Sequence, residues 1–136
     1  MLVRAFSTTA VVLAFWACAL PAHARNLAQI QNYENISVGS GKLIPAEKMR
    51  EAFVAAGARR SWTFKDAGPG KLIGTLNVRG KHTVEVEVTY SPERYSVVYK
   101  NSSNMNYSEQ GSLIHPNYNK WVGDLMNGVR SELSKF

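Results

Sequence analysis

"HTVEVEVTY", residues 82–90, decides the architecture of this chain. Val84, Val86, Val88 and Tyr90 alternate with Thr83, Glu85, Glu87 and Thr89. A period of two sends the valines to one face of a strand and the glutamates to the other. A sheet with one dry and one wet face is characteristically antiparallel. The flanking residues extend the pattern in both directions. In "KLIGTLNVR" (71–79), Leu72, Leu76 and Val78 share a face with Gly74 among them, and Gly80 turns the chain into the next strand. "SWTFK" (61–65) sets Trp62 and Phe64 together, and "DAGPG" (66–70) is a turn dense in breakers. Downstream, "SPER" (91–94) turns into "YSVVYK" (95–100), with Tyr95, Val97 and Tyr99 facing inward. Each connection is short, so the four strands are expected to pair as an antiparallel meander.

Helical rhythm brackets this block. "IPAEKMREAFVAAGARR" (44–60) places Pro45 at the first helical position, Glu47 in the first turn and two arginines near the end. Met49, Ala52, Phe53 and Ala56 recur at three-and-four spacing and form its buried stripe. A second helix is expected from about Pro116 to near the end of the chain, with Tyr118, Trp121, Val122, Leu125, Val129 and Leu133 as its stripe. "NSSNMNYSEQGS" (101–112) reads as a polar loop. Residues 25–43 read as a flexible lead-in, with "NISV" a candidate edge strand. The expected fold is a single α+β domain over 44–136. It is a two-layer sandwich of a four-stranded antiparallel sheet with both helices on its apolar face, in the order α-β-β-β-β-α.

Residues 1–24 read as a secretory signal. Arg4 charges the leading end, "AVVLAFWACAL" (10–20) is an apolar run too short to span a bilayer, and "AHA" (22–24) has the small residues a signal peptidase needs. Cleavage after Ala24 would leave about 112 of the 136 residues, without the single cysteine, Cys18. Lipid attachment at Cys18 is the alternative processing, but Phe15 and Trp16 in "FWAC" suit it poorly. The expected location is periplasmic or secreted, with no transmembrane segment in the mature chain.

The excess charge is localised. Of 16 basic and 10 acidic residues, Arg59, Arg60, Lys65, Lys71, Arg79 and Lys81 fall between 59 and 81, against Asp66 alone. A solvated strand face is one reading of that run. The other is a patch that attracts an anionic partner, such as an envelope polymer, a lipid headgroup or an envelope protein. Export removes intracellular nucleic acid as a partner.

Catalytic chemistry is poorly signalled. His82 shares parity with Val84 near a strand end, and His115 precedes Pro116 where the last helix begins. Both read as hydrogen-bonded structural histidines, with His115 capping free backbone N–H groups or lying against Tyr118. No second histidine or cysteine stands at metal-ligand spacing from either. "GSGK" (39–42) lacks the glycine spacing of a phosphate loop, and Leu43 follows it in place of Ser or Thr. Glu85 and Glu87 lie on the wet face of one strand, where carboxylates are solvated. Asn-x-Ser triplets at Asn35, Asn101 and Asn106 are set aside as glycosylation sites, since the signal has a bacterial character. No catalytic residue, metal ligand or cofactor is expected. Inward tyrosines near strand ends leave a small-ligand or metal site on an aromatic and histidine rim as the alternative, with an unrecognised hydrolase behind it.

"RRSW" (59–62), "VRGKH" (78–82), "VEVTY" (86–90), "YKNSSNMNY" (99–107) and "IHPNYNKWV" (114–122) together resemble a family of small exported proteins and lipoproteins of proteobacteria. The likeness covers residues 44–133, and its most specific element is His115, Tyr118, Asn119 and Trp121. It implies a periplasmic location and an α+β domain, and brings no catalytic or ligand residues with it. Trp62, His82, His115, Tyr118, Asn119 and Trp121 are therefore expected to be structural. The expected function is a non-enzymatic envelope module that binds a protein or an anionic envelope component.

Overall fold

The structure, a computed structural model, describes residues 26–136. The expected signal segment, Cys18 and the expected cleavage position lie outside the described residues. The elements in chain order are β1 (Ala28–Gln29), β2 (Tyr33–Ser37), α1 (Ala46–Ala58), β3 (Trp62–Asp66), β4 (Lys71–Val78), β5 (His82–Tyr90), β6 (Arg94–Ser103), β7 (Leu113–Ile114) and α2 (Asn117–Leu133).

β3 to β6 form the antiparallel meander, pairing Phe64 with Gly74, Leu76 with Val84 and Val88 with Val97. The sheet has five strands, not the four expected, in the order β2-β6-β5-β4-β3. The added strand, β2, comes from the expected lead-in and pairs antiparallel with β6 at the far edge. Its alternation is broken by a bulge: Tyr33 faces Val97 and Ile36 faces Tyr95, so β2 spends one extra residue there. Asn35 absorbs it at φ 52°, a conformation asparagine tolerates. A second bulge interrupts β6, where Glu85 pairs with Asn101 but Val86 pairs with Tyr99. β6 therefore runs three residues into the expected loop, and Met105 beyond it is buried. β1 and β7 form a separate two-stranded sheet.

Both helices cover the same sheet face. Phe53 of α1 meets Tyr95 edge-on at 5.6 Å, and Tyr118 of α2 meets Tyr99 edge-on at 5.5 Å. Tyr95 and Tyr99 project from that same side of β6. The buried stripe of α1 is Met49, Ala52, Phe53 and Ala56, joined by Gly57. That of α2 is Tyr118, Val122, Leu125, Val129 and Leu133, joined by Met126 and Gly128, while Trp121 is only half-buried. These side chains close over Leu72, Leu76, Val84, Val86, Val88 and Val97 in one core.

Candidate functional site

Strand register divides the six basic residues into two groups. Arg59 and Arg60 precede β3, and Arg79 and Lys81 flank the β4–β5 turn, all at one end of the sheet. Lys65 and Lys71 lie on the wet face toward the other end. Lys65 pairs with Ile73, six residues along β4 from Arg79, which is about 20 Å at the usual rise of a strand. The run that is continuous in sequence is not continuous in space.

Several of these cations are already engaged. Arg60 Nη1 donates to Ala56 O at 3.1 Å, and its guanidinium lies directly over Gly128 of α2, where a Cβ would collide with it. Arg59 sits 3.5 Å from Glu132 of α2. The pair therefore joins the end of α1 to α2. Lys71 is 3.6 Å from Glu87 across the wet face. Lys65, Arg79 and Lys81 have no ion-pair partner among the described residues, and all three are exposed.

Arg79 is also held unusually. Lys81 N donates to Val78 O at 3.1 Å, closing a turn with φ of 58° at Arg79 and 66° at Gly80. Positive φ at both central residues is the requirement of a type I′ turn, met at least cost by Asn, Asp or Gly. The other non-glycine residues with positive φ among the described residues are asparagines and serines. Asn77 supports the turn, accepting from Gly80 N at 2.9 Å and donating to Thr83 Oγ1 at 3.0 Å.

The two histidines flank one short segment. His82 donates from Nδ1 to Asn104 O at 2.8 Å, and Asn104 Nδ2 donates to Lys81 O at 3.1 Å. His115 N donates to Met105 O at 2.9 Å, and its Nδ1 accepts from Asn117 N at 3.2 Å, capping the first turn of α2. Each Nδ1 is thus committed to backbone. Among the described residues no three His, Cys, Asp or Glu side chains are grouped to hold a metal ion.

The remaining motif residues also serve packing. Trp62 is buried at the start of β3. Asn119 reaches from α2 to the first strap of the domain, donating to Gln29 O at 2.8 Å and accepting from Gln31 N at 3.0 Å. Tyr118 is fully buried, and burial pushes its hydroxyl far above the ordinary tyrosine range. Tyr99 lies between Tyr118 and Tyr107, stacked on the latter at 4.7 Å, and its hydroxyl is 2.8 Å from Ser102 Oγ. Tyr107 itself is exposed.

Lys42 and Arg130 carry no local signal in the sequence, yet they line one cavity with Tyr95. The chain matches no protein-family model, no curated protein and no solved structure. No helix among the described residues is long and apolar enough to cross a membrane.

Proposed function

We propose that this chain is an exported, non-enzymatic envelope module that binds an anionic partner through the sheet end carrying Arg79 and Lys81. The observation that supports this reading is the arginine at φ 58° in the β4–β5 turn. A non-glycine residue in the left-handed region costs roughly 1–2 kcal/mol, and asparagine or glycine would relieve it. Strain of this kind concentrates where a side chain is kept for what it contacts. Beside it, exposed Lys81 adds a second unpaired cation, and two adjacent charges attract polyanions more strongly than isolated ones. The likeness to small exported proteins belongs to the same reading.

The test separates stability from binding. Arg79→Asn should raise the unfolding free energy by roughly 1 kcal/mol. The same change should weaken retention on immobilised lipopolysaccharide and on phosphatidylglycerol vesicles, and Arg79→Asn with Lys81→Gln should weaken it further. Added salt should weaken wild-type binding, because exposed charges are screened within about 8–10 Å. Retention by the double variant equal to wild type at low salt would remove this surface from consideration.

A further inference from the structure

We infer that the cavity between Lys42, Tyr95 and Arg130 is a binding site for a phosphoryl group, distinct from the basic hairpin. The cavity holds about 350 Å³ and is built by three separate parts of the chain. Ser37 and Lys42 come from the end of β2 and the loop after it, Tyr95 from β6, and Arg130 and Leu133 from the last turns of α2.

The polar side chains of the lining can all donate, and Val38 and Leu133 complete its wall. Neither Lys42 nor Arg130 forms an ion pair among the described residues, and no carboxylate lines the cavity. Glu132, the nearest acid in sequence to Arg130, is engaged by Arg59 and by Lys135. Lys42 Nζ donates to Leu133 O at 3.3 Å, leaving two of its three N–H donors for a ligand. Arg130 and the Tyr95 hydroxyl line the same cavity, and a phenol can donate its proton to a ligand there. Burial pushes the Tyr95 hydroxyl up, which keeps the proton in place at neutral pH. Ser37 Oγ accepts from Gly39 N at 3.2 Å, and its proton is likewise free to be donated.

Neutralising the end of α2 does not account for both cations. The C-terminus of a helix carries about half a negative charge, against two full positive charges here. The remainder is a positive, donor-rich concavity without a carboxylate, and donors arriving from three sides can engage the three oxygens of a phosphoryl group where a carboxylate offers two. A second cavity, of about 630 Å³, lies along Gly39–Leu43 with Glu93 and Arg94 on its far wall, and shares Ser37 and Lys42 with the first. It leaves room for whatever carries the phosphoryl group, and Leu43 stands 67% exposed on its wall.

Amide chemical-shift titration with inorganic phosphate tests the assignment. Saturable shifts are expected in 37–42 and 130–134, with acetate at least about tenfold weaker, which is a difference of ~1.4 kcal/mol. Arg130→Gln, an exposed position, should weaken phosphate binding by about tenfold or more with the melting temperature retained. Lys42→Gln should do the same, while Lys65→Gln, exposed on the wet face away from both sites, should leave phosphate binding unchanged. Retention on phosphatidic acid vesicles that Arg130→Gln abolishes would assign the group to a lipid headgroup. Binding of phosphate and sugar phosphates without vesicle retention would assign it to a soluble ester. No saturable phosphate binding, or equal binding by wild type and both cavity variants, overturns the site and leaves the hairpin reading untouched.

Discussion

Tyr118 carries a hydroxyl that is buried and has no hydrogen-bond partner among the described residues. Leaving such a group unpaired costs about 1–3 kcal/mol. Tyr118→Phe is therefore expected to raise stability by roughly 1 kcal/mol, read from the urea midpoint at unchanged slope. A fall instead would show that the hydroxyl holds an ordered water. The same phenol makes the fold alkali-sensitive. Burial raises the pKa of Tyr95, Tyr99 and Tyr118 in the folded chain above the ordinary 10.0. Below pH 10 both states keep these protons, and stability does not depend on them. Above it the unfolded chain loses them first, so stability falls with rising pH, by up to about 1.4 kcal/mol per pH unit for each tyrosine. Tyr118→Phe should flatten that alkaline slope. His115 acts in the opposite direction from the unpaired phenol. Its ring accepts from Asn117 N, so His115→Ala should cost about 1 kcal/mol by loss of the cap, and an unchanged melting temperature would contradict the anchoring role.

Helix α1 can lie close to the sheet only because two glycines leave space for one ring. A Cβ on Gly57 would come 2.5 Å from Phe64, and one on Gly74 would come 2.6 Å from the same ring. Phe64 pairs with Gly74 across β3 and β4, so the ring covers a strand position that has no side chain of its own. Gly57→Ala is expected to cost about 1–3 kcal/mol in chemical denaturation. In a Phe64→Leu background the same change should cost less, and the coupling between the two positions should exceed about 0.5 kcal/mol. Strictly additive effects would mean that helix and ring do not share this space. The elements best legible in the sequence are those with an uninterrupted period. β4 and β5 keep strict alternation, and α2 keeps its three-and-four stripe. β2 was legible only as the fragment "NISV", because its bulge at Asn35 breaks the period of two. The end of β6 was hidden by the second bulge, which shifts parity where the sequence turns polar.

At the scale of the molecule, Asn119 closes the domain. Its amide pairs with Gln29 O and Gln31 N as a neighbouring strand would, fixing the segment between β1 and β2 against α2. Asn32 repeats the device, its Oδ1 accepting from Tyr99 N at 2.9 Å. Asn119→Ala should destabilise the domain by about 1–3 kcal/mol and speed amide exchange at Gln31 more than in β5. Equal protection in both variants at Gln31 would show that the strap holds without this side chain. Residue identity alone determined the antiparallel meander, the faces of both helices and the α+β class, because period and turn chemistry are local properties. The charge excess was equally plain, but its meaning was not. Only tertiary structure decided that Arg59 and Arg60 join two helices, that Lys65 and Lys71 lie apart from Arg79 and Lys81, and that Lys42 and Arg130 line one cavity. Which charges converge depends on register and packing between distant segments, and neither leaves a local trace in the chain.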